Sequence, residues 1–73
     1  MEGSKAYALY RIHQASWNEV MELSQNIKLA FKEHGLVWIK DYYLTEMGSS
    51  LDIEIYTKEA DDLLRETVPQ YLL

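Results

Sequence analysis

Two carboxylates whose spacing could support chemistry, Asp52 and Glu54, lie in the segment LDIEIYT, residues 51–57. Side chains alternate along a strand, so both would lie on one face. Such a pair can bind a hard cation or divide acid and base roles. Either role needs a third convergent group. Asp41 and Glu46 are candidates, but the sequence does not show how far they lie from Asp52 and Glu54. The pair therefore favours a solvated strand face over a metal or catalytic site.

The other residues with chemical potential are two histidines and a pair of serines. His13 and His34 stand alone, whereas a metal site or an acid–base pair needs companions at a defined spacing. His34 falls near a helix end, where a protonated imidazole suits the helix dipole. Ser49 and Ser50 lack the glycine context of a nucleophile elbow. The sequence therefore predicts a protein that is not an enzyme and that uses no metal or cofactor.

Three segments that would position these residues have the composition of β-strands. The segments KAYALYRIH, residues 5–13, and LVWIKDYYL, residues 36–44, are rich in β-branched and aromatic residues, and the second could continue to Glu46. Residues 51–57 alternate cleanly between apolar and polar side chains and predict the third strand.

Two further segments predict helices. A capping box at residues 16–19, SWNE, begins a helix that runs to about His34 and ends at Gly35. Thr57 can cap a shorter second helix, which ends before Pro69.

The order of these segments predicts an α+β fold, β-α-β-β-α, in which helices cover one face of an antiparallel sheet. If residues 70–73 add a fourth strand, the order resembles a compact ferredoxin-like fold. That resemblance implies an architecture and no function. The length of 73 residues predicts a single domain, residues 1–73, in which residues 1–4 are a flexible end.

Charge and composition exclude several classes of partner. The chain has a net charge of −5, and its seven Lys and Arg residues form no cluster in the sequence. This argues against direct nucleic-acid binding, which needs a concentrated basic patch. No apolar run predicts a membrane span, and the chain begins without a signal-peptide pattern. The absence of cysteine fits a reducing compartment, so we expect a cytoplasmic protein.

The first two predicted strands are apolar on both sides. Helices on one side of the sheet cannot cover the other, and a large exposed apolar patch usually marks an interface. Tyrosine and tryptophan often dominate the energy of such interfaces. The predicted interface residues are Tyr7, Leu9, Trp38, Tyr42 and Tyr56, with Leu29 on the first helix as a secondary candidate.

The length of the hairpin loop decides which residues of the second strand face the core. A three-residue loop would turn Tyr43 and Thr45 towards the core. A loop of two or four residues would turn Tyr42 and Leu44 there instead. The sequence leaves both registers open.

These observations predict a non-enzymatic protein-interaction module that associates through an aromatic-rich sheet face or edge, with a second copy of itself or with a larger protein. One alternative is a small acidic inhibitor of a larger protein, whose carboxylates could mimic nucleic-acid phosphates; the chain resembles small viral inhibitors in size and charge. Another is a ligand-sensing ferredoxin-like dimer with its ligand at the subunit junction. The acidic surface of the first alternative would consist of Asp52, Glu54, Glu59, Asp61 and Asp62.

Overall fold

The computed structural model describes residues 6–72 and has the mixed α+β composition that the sequence predicts. The proposed flexible end, residues 1–4, lies outside the described residues. The elements in chain order are strand β1 (Ala8–His13), helix α1 (Trp17–Glu33), strand β2 (Tyr42–Met47), strand β3 (Ser50–Ile55), helix α2 (Lys58–Thr67) and a 3-10 helix (Pro69–Tyr71).

The three strands form one sheet in the order β1-β3-β2, and both neighbouring pairs are antiparallel. The proposed fourth strand is not seen, because residues 68–72 use their backbone groups locally. The Val68 amide donates to the Leu64 carbonyl, and the Tyr71 and Leu72 amides donate to carbonyls three residues earlier. Among the described residues the sheet therefore has three strands, and the complete ferredoxin-like order is not reached.

The β2–β3 hairpin has the two-residue loop Gly48-Ser49, because Met47 pairs with Ser50. Gly48 has a φ of 59°, which glycine adopts without steric penalty. This loop turns Tyr42 and Leu44 towards the helices and Tyr43 away from them. Of the two registers that the sequence allows, the structure therefore has the one with Tyr42 in the core.

Both ends of α1 form as the sequence predicts. The Ser16 hydroxyl accepts a hydrogen bond from the Glu19 amide at 3.3 Å, and the Glu19 carboxylate accepts one from the Ala15 amide at 3.1 Å. At the other end Gly35 has a φ of 79°, and the Leu36 amide donates to the Phe31 carbonyl at 2.9 Å. This is the Schellman arrangement, which satisfies carbonyls that the helix leaves without partners.

Removal of the α1 cap is expected to weaken the fold measurably. Ser16→Ala should lower the free energy of unfolding by about 1 kcal/mol, because the Glu19 amide loses its acceptor. Urea unfolding measures the change. Ser49→Ala in the exposed hairpin loop is the control and should change stability by less than about 0.5 kcal/mol. Equal effects of the two substitutions would contradict the capping role.

Both helices pack on the same face of the sheet and form the core with it. The core holds Val20, Ile27 and Phe31 from α1, Ala60 and Leu64 from α2, and the inward residues of all three strands. Trp17 has the same helical spacing as these α1 residues, but it is exposed at the first turn. The opposite face of the sheet has no helix on it within residues 6–72, and this is the surface that the interface prediction concerns.

Candidate protein-interaction surface

The open face is the side of the sheet that points away from α1 and α2. Strand alternation and the observed register define its members. They are Leu9, Arg11 and His13 of β1, Ser50, Asp52 and Glu54 of β3, and Tyr43, Thr45 and Met47 of β2.

One half of the open face is apolar and aromatic. Leu9, Glu54 and Tyr43 form one row across the three strands. The Leu9 side chain is 70% exposed, although it lies within a strand. The Trp38 ring lies 4.9 Å from the Tyr43 ring and extends this half beyond the edge of β2. An exposed aromatic surface with hydroxyl groups at its margin is typical of protein interfaces.

The other half of the open face is polar and already internally paired. Arg11 donates two hydrogen bonds to the Asp52 carboxylate, at 2.6 and 2.9 Å. The hydrogen bond from Arg11 lowers the pKa of Asp52. Glu54 lies in the first half, between Leu9 and Tyr43, and its carboxylate accepts a hydrogen bond from the Tyr56 hydroxyl at 2.5 Å. That bond, with burial, raises the pKa of Tyr56 to about 12. Asp52 and Glu54 therefore have separate structural partners.

The predicted interface residues occupy several different places. Leu9 lies on the open face, and the half-buried Tyr56 contacts that face through Glu54. Tyr7 is 54% exposed just before β1. Trp38 lies at the edge of β2, whereas Leu29 is exposed on α1 and apart from the sheet.

Tyr42 does not belong to the predicted interface. Its side chain is only 4% exposed and packs edge-on against Phe31, with ring centroids 4.5 Å apart. The two-residue hairpin loop puts Tyr42 on the core side of β2, and Tyr43 takes the open position. The sequence could have identified Tyr43 only if the loop length had been known.

A turn before β2, residues 37–41, supplies apolar surface that the sequence assigned to a strand. Val37 and Ile39 are exposed on either side of Trp38, and Ile39 has a φ of 74°. This left-handed conformation is unusual for a β-branched residue. The Asp41 carboxylate accepts from the Val37 amide at 2.7 Å, and the Ile39 amide donates to the Tyr42 carbonyl at 2.7 Å. These bonds hold the turn beside β2, so β2 begins at Tyr42 and not at Leu36.

A polar chain supports Trp38 from the helix side. The Lys28 ammonium lies 5.0 Å from the centre of the Trp38 ring and 3.6 Å from the Glu46 carboxylate. The buried Ser24 hydroxyl donates to Glu46 at 2.5 Å, and this bond is the main cause of the lowered pKa of Glu46. Trp38 is therefore held in place while 37% of it is exposed.

The proposed acidic surface has fewer exposed and unpaired carboxylates in the structure than the sequence predicts. Asp61 does not lie on it, because its side chain is buried and accepts hydrogen bonds from Tyr10 and Arg65. Asp62 pairs with Lys58 at 2.9 Å, one helical turn earlier. Of the acidic residues of α2, Glu59 is exposed as expected.

The surface depressions of this chain are shallow and open. One lies on the open face and is lined in part by Leu9, Arg11 and Asp52. Within residues 6–72, no group of three or more His, Cys, Asp or Glu side chains could hold a metal ion. No helix in the same range is long and apolar enough to cross a bilayer. Comparison of the chain with protein-family models, curated proteins and solved structures gives no match.

Proposed function

We propose that the protein is a non-enzymatic interaction module whose open face binds another protein, either a second copy or a larger one. The observation that carries the proposal is Leu9. A leucine that is 70% exposed in a strand contributes apolar area whose exposure gives a folded monomer no free energy, and Tyr43 lies in the same row with Glu54 between the two. Burial against a partner would recover that free energy.

The geometry of Trp38 strengthens the proposal. Rigid aromatic side chains make good interface anchors because little conformational entropy is lost when they are buried. Trp38 meets this description, since Tyr42, Tyr43 and Lys28 contact three sides of it before any partner arrives.

The two alternatives have less support. Asp61 is buried, and Asp52 and Asp62 are each paired with a cation, so much of the proposed acidic surface is neutralised. A ligand-sensing ferredoxin-like dimer would need an enclosed pocket with convergent polar groups. This alternative also depends on a ferredoxin-like sheet, and the sheet of residues 6–72 has three strands and not four. Because the absence of cysteine fits a reducing compartment, we propose that the module acts in the cytoplasm.

Trp38→Ala is expected to weaken binding through the open face by at least about tenfold, as loss of an aromatic anchor does. Light scattering over a range of concentrations measures self-association, and co-purification from lysate measures binding to a larger protein. Trp17→Ala is the matched control, because Trp17 is also exposed but lies on α1.

Two results would contradict this proposal. One is a partner that Trp38→Ala and Tyr43→Ser both retain as well as the wild-type protein does. The other is a Trp38→Ala variant that unfolds, since that would show a structural role for Trp38. Thermal unfolding of each variant separates loss of binding from loss of fold.

A further inference from the structure

The two edges of the sheet differ in how they are protected. An edge strand carries backbone N–H and C=O groups without partners, and natural proteins usually cover or charge such an edge. At the β2 edge, the Ile39 amide donates a hydrogen bond to the Tyr42 carbonyl. Glu46 of the same strand points towards the helices and places a charge on the inward side of this edge. The β1 edge has no covering element among residues 6–72, and its inward residues Ala8, Tyr10 and Ile12 are uncharged.

The register shows which backbone groups of β1 face outward. The Gln14 amide donates to the Ser49 carbonyl directly opposite, and hydrogen-bonded pairs recur at every second residue of an antiparallel ladder. The amides of Tyr10 and Ile12 therefore face β3. The amides and carbonyls of Leu9, Arg11 and His13 face away from the sheet. The His13 carbonyl already accepts a hydrogen bond from the Gln14 side-chain amide at 3.0 Å, so the edge groups open to another strand centre on Leu9 and Arg11. The Tyr7 amide donates to the Ile55 carbonyl, so the regular outward edge begins at Leu9.

We propose that the β1 edge pairs antiparallel with the β1 edge of a second copy, which makes one continuous six-stranded sheet. Outward N–H and C=O groups at strand spacing are complementary to another extended strand and to little else. The proposal concerns the edge and does not rest on binding through the open face.

Charge permits a second copy at this edge. The chain carries −5 overall, but the arginine on β1 and the arginine that contacts Tyr10 are both paired with carboxylates. Arg11 is paired with Asp52 on the open face, and Arg65 is paired with Asp61 on the helix face. Two copies can therefore approach along β1 without bringing unpaired like charges together.

One register suits this pairing best. With Tyr10 on the two-fold axis, Leu9 lies opposite Arg11 of the second copy. The aliphatic stem of that arginine can then cover the exposed leucine while its guanidinium stays on Asp52. A register shifted by one residue along each strand in one direction would place the two Arg11 side chains directly opposite each other, which is unfavourable. A shift in the other direction would place Leu9 opposite Leu9, but it would pair Arg11 with Tyr7, whose amide already donates to the Ile55 carbonyl.

Edge pairing would also place the two open faces side by side in one continuous surface of twice the size. The edge contact itself is small, so the dimer should be weak and depend on concentration.

Amide hydrogen exchange, followed by NMR at two protein concentrations about fifty-fold apart, tests the edge directly. Protection of the Leu9 and Arg11 amides should rise about tenfold or more at the higher concentration. The Tyr10 amide should be protected at both concentrations, and the outward Leu44 amide of β2 should stay equally fast at both. Protection of Leu9 and Arg11 that does not change with concentration would overturn the proposal, as would a rise at Leu44 instead.

A proline variant provides a second measurement. Leu9→Pro removes an outward amide that β3 does not use, and proline is tolerated on edge strands. Light scattering should show that Leu9→Pro is monomeric, whereas Leu9→Ala, which loses the same side chain, should still dimerise. If Leu9→Pro fails to fold, the hydrogen-exchange profile of the wild-type protein still tests the edge proposal.

The edge proposal and the open-face proposal can be tested independently of each other. A dimer that Trp38→Ala weakens, and in which the Leu9 and Arg11 amides stay unprotected, would overturn the edge proposal and support self-association through the open face. A dimer with edge protection that Trp38→Ala leaves unchanged would support the edge, and the open face would then be judged by binding to a larger protein.

Discussion

Replacement of Phe31 by alanine is expected to lower the free energy of unfolding by about 4 kcal/mol, the range measured for large aromatic residues in well-packed cores. Phe31 is fully buried near the end of α1 and packs against the Tyr42 ring at 4.5 Å. A domain of this length has a total stability of roughly 4–11 kcal/mol. The substitution should therefore remove between about a third and all of that stability.

Urea unfolding monitored by circular dichroism measures this effect. Leu29→Ala is the control on the same helix, because Leu29 is exposed and should change stability by less than about 0.5 kcal/mol. Tyr42→Ala should resemble Phe31→Ala and not Trp38→Ala, since Tyr42 is part of the core. A stable Tyr42→Ala variant that loses only binding would contradict the observed register of β2.

Asp61→Asn is expected to lower the free energy of unfolding by about 2 kcal/mol, which is typical for a hydrogen-bonded charged group. The Asp61 side chain is 6% exposed. Its two oxygens accept hydrogen bonds from the Tyr10 hydroxyl of β1 and from Arg65, at 3.0 Å for the latter. An asparagine would direct its NH₂ group at one of these donors. The substitution therefore weakens the contact that joins α2 to β1.

The same contact makes the free energy of unfolding depend on pH. Burial alone would raise the pKa of Asp61, but the hydrogen bonds from Tyr10 and Arg65 outweigh it and hold the pKa below its ordinary value. The unfolded chain therefore binds the proton more readily than the folded one. The stabilisation is fully present above about pH 4, the ordinary pKa of aspartate, and is lost as the pH falls through the lower folded value.

Urea unfolding at neutral pH and at about pH 3 tests this linkage. The stability difference between wild type and Asp61→Asn should shrink at the lower pH. Asp62→Asn is the control, because Asp62 forms an exposed pair with Lys58 and should have a small effect at either pH. A difference that stays constant with pH would show that Asp61 acts through packing and not through its charge.

The structural elements that are specified by residues close together in the chain could be predicted from the sequence. The capping box at Ser16 and the left-handed glycine at Gly35 set the ends of α1 through bonds between residues at most five positions apart. The cap at Thr57 likewise begins α2, where its hydroxyl accepts from the Ala60 amide at 3.2 Å. Clean alternation in β3 predicts its inward face, because only one of its sides is apolar.

The candidate site could be predicted only in part. An aromatic surface on the sheet follows from strands that are apolar on both sides, and Leu9 and Trp38 are exposed as such a surface requires. The position of Tyr42 was wrong, because strand periodicity is the same in either register. Asp61 was also misplaced, since its partners Tyr10 and Arg65 lie on two different elements and Tyr10 is 51 residues away.

The sequence by itself therefore determined the order of strands and helices, the ends of the helices, and the presence of more apolar strand surface than two helices can cover. The tertiary structure decided which tyrosine faces the core, because a two-residue loop pairs Met47 with Ser50. It also converted residues 37–41 from a strand into a turn, since the Asp41 carboxylate binds the Val37 amide. Finally, it left β1 as an open edge, because residues 68–72 satisfy their hydrogen bonds locally and add no fourth strand. Each of these outcomes depends on backbone pairing between specific residues, which residue type and spacing do not specify.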